Sequence, residues 1–248
     1  MSLLLDVDEL TVTFGSLRAV DGVSLSVHSD RIMGLIGPNG AGKTTTIDAL
    51  CGFVASHGRV SLGGASIDAL PPHQRTRAGL VRTFQSVELF DDLTVRENLL
   101  VAAITPRWWS PFVDAIAPRS GSRDVDIDFA LDVVDLRHLA DAQPDALSHG
   151  QRRLAGVARA LAARPKVVLL DEPAAGLDPS ETRALGEVIR LLPEAGIGVL
   201  LVDHDMSLVL DVCDEIMVLD FGRVIATGAT ATIREDPTVI AAYLGGVV

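Results

Sequence analysis

Short apolar stretches separated by Gly, Ser and Asp open the chain. LLLDVDELTVTF (3–14) and AVDGVSLSV (19–27) alternate in part, and RIMGLIG (31–37) is almost continuously apolar, so all three predict strands. KTTTIDALCGF (43–53) predicts a helix, GRVSLGG (58–64) a short strand, and PPHQRTRAG (71–79) a short helix opened by proline. LVRTFQ (80–85) predicts a strand ending at Gln85. Thr94 with Glu97 three residues later is a capping box, opening a helix VRENLLVAAI (95–104). Residues 105–123, rich in Pro, Ser and Arg and holding both tryptophans, predict a loop or insertion, and DVDIDFALDVVDLRHLA (124–140) is again helical. Thereafter helix (150–163), strand (166–171), helix (180–192), strand (197–202), helix (206–212) and two strands (215–220, 223–228) precede a helical tail.

Strands alternating with helices predict an α/β fold with a mostly parallel sheet. An N-terminal antiparallel β region and a helical subdomain inserted at 86–163 complete a single domain spanning 1–248. No internal repeat is visible.

Composition narrows the function classes. Apolar residues make up 48% of the 248, enough for a sizeable core. The formal charge of −12 argues against a nucleic-acid partner, which a basic surface would serve. Cys51 and Cys213 have no metal-type spacing and read as buried free thiols. The start is no signal peptide, and no apolar run reaches the roughly 20 residues that cross a bilayer. The expected protein is soluble, or peripheral to a membrane.

GPNGAGKT fits G-x-x-x-x-G-K-[ST] at Gly37, Gly42, Lys43 and Thr44, between a strand and a helix. This is a P-loop. Its backbone, through Pro38, Asn39, Gly40 and Ala41 to Thr45, can wrap phosphates with successive N–H groups. The Lys43 ammonium suits the β- and γ-phosphates and the Thr44 hydroxyl suits Mg²⁺. KVVLLDEP is an apolar strand ending in two acids. Asp171 would hold Mg²⁺ through water, and Glu172 would polarise the attacking water or take its proton. LLVDHDMS repeats the pattern, and His204 would bond the γ-phosphate and position the water. Gln85, at another strand end, would reach Mg²⁺ or the water. His28, His57, His73 and His138 read as surface residues. LSHGQ (147–151), just before an amphipathic helix, offers a second anion-binding turn.

These motifs, with AGLD, occur in the order and spacing of ABC-transporter ATP-binding subunits, which nearly the whole chain resembles. The resemblance implies a head-to-tail dimer with each ATP between one chain's P-loop and the other chain's signature turn. LSHGQ then completes the partner's site. Ser148 and the N–H of Gly150 would hold the partner's γ-phosphate, with Gln151 in the same turn, and Asp178 would cross the interface. Phe14 matches the aromatic that stacks on adenine; alternatively it is a strand-end core residue. The family signature is usually LSGGQ, and His149 departs from it. LLDEPAAGLDPSET, the VDHDMS region and the tail DPTVIAAYLG are similar to subunits that energise branched-chain amino acid import; urea and amide importers look alike.

The resemblance implies ATP and Mg²⁺ as cofactors. It also implies a second ATP-binding subunit, identical or paralogous, and integral membrane permease subunits. A substrate-binding protein would be met only indirectly, and the place would be the cytoplasmic face of the membrane. FQSVELFDD, with Phe84, Leu89 and Phe90, would meet the permease, unless Leu89 and Phe90 fill the subdomain's own core. An exporter ATPase and a non-transport ABC ATPase remain alternatives. A monomeric P-loop kinase is another, but it would not need LSHGQ.

Overall fold

The protein is described by a computed structural model covering residues 2–83, 89–103 and 120–244, without the side chains of 120–125 and 244. It divides into two compact units, residues 1–85 with 166–248 and residues 86–165.

The first unit holds two sheets. β1 (Leu3–Phe14), β2 (Leu17–His28), β4 (His57–Leu62) and β5 (Ala65–Ser66) form an antiparallel sheet in the order β2-β1-β4-β5. The second sheet has the order β10-β9-β3-β8-β7-β6. Its members are β3 (Ile32–Ile36), β6 (Leu80–Thr83), β7 (Val167–Asp171), β8 (Gly198–Val202), β9 (Glu215–Asp220) and β10 (Arg223–Ala229). All its pairs are parallel except β9 with β10. Every residue of β3, β7 and β8 is buried. Central parallel strands are covered on both faces, which explains their unbroken apolar runs.

Helices α1 (Lys43–Cys51), α2 (Pro72–Ala78), α6 (Pro179–Leu191), α7 (Met206–Val212), α8 (Thr230–Arg234) and α9 (Pro237–Leu244) belong to this unit. α1 stops at Cys51, two residues before the expected end. Gly52 takes a left-handed φ of 79°, and its N–H turns back to the Ala49 carbonyl.

In the second unit α3 (Val95–Ala103), α4 (Ser120–Val133) and α5 (His149–Ala162) pack on one another. Thr94 and Glu97 make the expected capping box: the Thr94 N–H donates to Glu97 at 2.8 Å and the Glu97 N–H to Thr94 Oγ1 at 3.2 Å. Two expectations need correction. Residues 120–123, assigned to a loop, form the first turn of α4. The same helix ends at Val133 and not at 140, because Asp135 adopts φ 54° and the Leu136 N–H returns to the Leu131 carbonyl. The tryptophans and the rest of the 105–123 insertion lie outside the described residues.

Candidate functional site

The loops that carry most of the nominated residues leave one edge of the six-stranded sheet. β7 and β3 both flank β8, and Val202 at the end of β8 pairs with Asp171 on one side and Leu35 on the other. The turn after β3, the acids after β7 and Asp203–His204 after β8 therefore stand side by side. The carboxyl ends of parallel strands are where such sheets bind ligands.

The turn after β3 demands glycine. A Cβ on Gly37 would lie 2.2 Å from the Leu219 carbonyl oxygen. Gly42 has φ 100°, and a Cβ there would lie 2.7 Å from the Ala19 carbonyl oxygen. Lys43 is buried at 8% exposure, and its ammonium donates to the carbonyls of Gly37 (2.7 Å) and Pro38 (3.0 Å). Burial pulls its pKa down, while the charges of Glu172 and Asp171 oppose that shift. The ammonium thus sits inside the loop, facing two carboxylates.

Beside the loop is a cavity of about 590 Å³, lined by Asn39 to Thr45, Glu172, Phe14, Leu17 and Phe221 among others. Phe14 is 51% exposed on this cavity, so it is not a core residue. Phe221 is 86% exposed with φ 43°. In the sequence it is only the residue between two predicted strands, with no motif of its own. That turn is stapled in place: the Gly222 N–H donates to the Ala41 carbonyl (3.0 Å) and the Asp21 N–H to the Gly222 carbonyl (2.8 Å). Arg223 and Arg18 both bond Asp21. Two exposed rings on one cavity can hold a planar base.

Glu172 has a left-handed φ of 46°, fixed by its N–H donating to the Val202 carbonyl at 2.7 Å. The Nδ1 of His204 lies 3.8 Å from Glu172 Oε2 and 3.7 Å from Asp203 Oδ1, too far for direct hydrogen bonds. Asp203, also unremarked in the sequence, is 1% exposed. It accepts the N–H groups of Ala174 (3.0 Å) and Asp205 (2.9 Å), so it ties the loop after β7 to the loop after β8. Asp171 is buried, and its carboxylate bonds Arg82 Nη2 at 2.7 Å.

A divalent cation fits this arrangement. The Thr44 hydroxyl on the cavity and the Asp171 carboxylate are hard oxygen donors, and Mg²⁺ takes one or two such groups together with substrate phosphates. The electrostatic reach of Asp171 and Glu172 to Lys43 places negative charge where a cation and a phosphate would share it.

Asp178 caps α6. Its carboxylate accepts the N–H groups of Ser180 (2.7 Å) and Glu181 (2.9 Å), and bonds to the Ser180 hydroxyl and those N–H groups hold its pKa below the usual value. In the second unit Ser148 caps α5 in a reciprocal box with Gln151. The Gln151 N–H donates to Ser148 Oγ at 3.2 Å and the Ser148 N–H to Gln151 Oε1 at 2.9 Å. Ser148 and His149 are exposed and Gly150 is buried. Gln85 lies outside the described residues. His57, His73 and His138 are exposed and His28 is half-buried.

Residues 20–175 match the family model described as ABC transporter. Residues 223–248 match that of the branched-chain amino acid ATP-binding cassette transporter. The chain is 42% identical to the high-affinity branched-chain amino acid transport ATP-binding protein BraF of Pseudomonas aeruginosa, over 98% of each chain. It is 37% identical to the lipopolysaccharide export system ATP-binding protein LptB of Haemophilus influenzae, over 98% of this chain and 97% of that one. Among solved structures, an ATP-binding cassette of an ABC transporter in its ADP conformation is similar with a TM-score of 0.87. It is 32% identical and covers 99% of this chain and 100% of its own.

Proposed function

The chain belongs to the ABC transporter family, and on that premise we propose that it hydrolyses ATP to power import of branched-chain amino acids. One observation carries the choice of solute: residues 223–248, beyond the shared cassette, match the branched-chain amino acid type. The 37% identity to an export subunit leaves the exporter reading the weaker of the two.

The chemistry follows from the residues on the page. Backbone N–H groups of the loop from Gly37 to Thr45 wrap the phosphates, and Lys43 turns from its loop carbonyls to the β- and γ-phosphates. Phe14 and Phe221 flank the base. Thr44 and Asp171, with Gln85, would hold Mg²⁺, which neutralises charge on the β- and γ-phosphates. Glu172 accepts the proton of the attacking water, its backbone fixed against Val202. His204 stands beside it and would bond a γ-phosphate oxygen. Ser148 and Gly150 serve the ATP of a second chain, identical or paralogous, and Asp178 faces that chain.

Among the described residues no helix is long and apolar enough to cross a membrane. On the family reading, the subunit acts at the cytoplasmic face through separate permease subunits. The test is coexpression with the membrane subunits that copurify with it, followed by reconstitution in vesicles. ATP- and Mg²⁺-dependent leucine uptake is the expected result. Mg²⁺-dependent hydrolysis without uptake of leucine, isoleucine or valine would overturn the solute, and absence of hydrolysis would overturn the activity.

A further inference from the structure

We propose that Arg82 is a positioning residue for the divalent cation that accompanies ATP, acting through Asp171 and Asp48. Resting on the ATPase reading above, it assigns a role to a residue that no motif singles out. Arg82 lies on β6, and its side chain is only 9% exposed. Its Nη2 bonds Asp171 Oδ2 at 2.7 Å, and its Nη1 bonds Asp48 Oδ1 at 2.5 Å. The Asp171 side chain is 7% exposed and that of Asp48 30%.

The three residues belong to three elements with different tasks. Asp171 ends β7. Asp48 lies on α1 four residues after Thr44, so both occupy one face of that helix. Arg82 therefore connects the helix that presents the Thr44 hydroxyl to the strand that presents the Asp171 carboxylate. Among the described residues these are the two oxygens nominated for Mg²⁺. The guanidinium is planar, and each amino group is committed to one acid, so neither carboxylate can rotate without breaking a charged bond. Oδ2 of Asp171 is held by Arg82, which leaves Oδ1 to face the cation or its water. The next residue adds a second hold: the Asp171 N–H donates to Thr83 Oγ1 at 3.3 Å. β6 thus fixes both the backbone and the side chain of Asp171.

A partner that orients a metal-binding carboxylate contributes to metal affinity, by about 10- to 100-fold in known sites. An ion pair that only glues α1 to the sheet would weaken folding and nucleotide binding alike. The two roles differ in what happens when the metal is removed.

The experiment uses the full chain with Glu172→Gln, so that ATP is not consumed. Mn²⁺ binding to the ATP-bound protein is read by electron paramagnetic resonance, and ATP affinity is measured separately in EDTA. Arg82→Gln is expected to weaken Mn²⁺ binding about tenfold or more, with ATP affinity in EDTA unchanged. Equal losses with and without metal, or unchanged Mn²⁺ affinity, would overturn the proposal. If Arg82→Gln does not fold, Asp48→Asn frees one side of the guanidinium and should still weaken Mn²⁺ binding selectively; no selective loss overturns the idea. Adding Arg82→Gln to Asp171→Asn should cause no further loss of Mn²⁺ affinity, since Arg82 acts through that acid. ATP binding by the parent protein in EDTA checks the cassette reading independently.

Discussion

Nδ1 of His204 lies 3.8 Å from Oε2 of Glu172. The two side chains come from the ends of neighbouring parallel strands, and the Glu172 N–H bonds the last carbonyl of the strand that leads to His204. The geometry presents one acceptor and one imidazole to the same space. Glu172→Gln keeps the size and cannot take a proton. We expect turnover to fall by about 10²- to 10⁴-fold, with ATP affinity preserved. Phosphate release and equilibrium nucleotide binding on the same preparation check this. Turnover near the wild-type rate would remove Glu172 from the role.

Ser148 and Gln151 bond each other reciprocally, which fixes the first turn of α5 while Ser148 stays exposed. If that turn serves another chain's ATP, Ser148→Arg blocks hydrolysis while each monomer still binds nucleotide normally. Lys43→Ala should be inactive for the opposite reason, since it would spoil its own phosphate loop. Mixing the two inactive variants should restore part of the activity, because a mixed dimer has one intact composite site. Ser148→Arg monomers that lose ATP affinity would contradict action in trans, and mixtures that stay inactive would contradict pairing of this chain with its own copy.

Legibility in the sequence followed a physical division. Continuous apolar runs such as VVLL and GVLLV announce buried parallel strands, and the polar residues that end them mark the edge of the candidate site. The P-loop, the acids after β7 and His204 fall on one edge of the sheet for that reason. Gly52 and the Ser148–Gln151 pattern carry the local signals of a helix stop and a cap. Asp135 carries none, because a left-handed residue that is not glycine leaves no compositional trace. Arg82, Asp203 and Phe221 escaped for another reason. Arg82 meets Asp171 across 89 positions of sequence, through the register of β6 on β7. Phe221 reaches the cavity only because β9 lies beside β3 and its turn bonds Ala41. Single-sequence patterns contain no register, so contacts of this kind become visible only in the fold.

The Asp205 carboxylate caps α7, accepting the N–H groups of Ser207 (2.8 Å) and Leu208 (3.3 Å). The Ser207 hydroxyl is the largest cause of its lowered pKa. A carboxyl with a folded pKa below its unfolded value stabilises fully above the unfolded value, about 3.9. That stabilisation disappears as pH falls through the folded pKa. Asp205→Ala should therefore cost about 1 kcal/mol at pH 7, or a Tm drop of about 2–4 °C for a chain of this size. The gap between variant and wild type should close below about pH 4. Thermal melts from pH 7 to 3 measure it, and a gap that widens on acidification would contradict the cap assignment.

Asn98 is fully buried, yet every polar atom of its amide is used on the loop before α3. Oδ1 accepts the Phe90 N–H at 2.8 Å, and Nδ2 donates to the carbonyls of Phe90 (3.1 Å), Leu93 (3.1 Å) and Thr94 (3.0 Å). The backbone of Phe90 is thus held rigidly while its ring remains 53% exposed. An exposed aromatic ring on a backbone held from behind would suit a helix end of a membrane subunit, with Asp91 and Asp92 beside it to meet basic residues. The two residues behave differently if this is right. Asn98→Ala leaves buried backbone groups without partners, at about 1–3 kcal/mol, and should lower Tm. Phe90→Ser removes only an exposed ring and should leave Tm and ATP hydrolysis by the isolated subunit unchanged. Combined with Leu89→Asp, which places a charge on the half-buried neighbour, it should abolish copurification with the permease and uptake in the reconstituted transporter. A double variant that unfolds would assign Leu89 and Phe90 to the core of their own unit, whereas one that still assembles and transports would place the permease contact elsewhere.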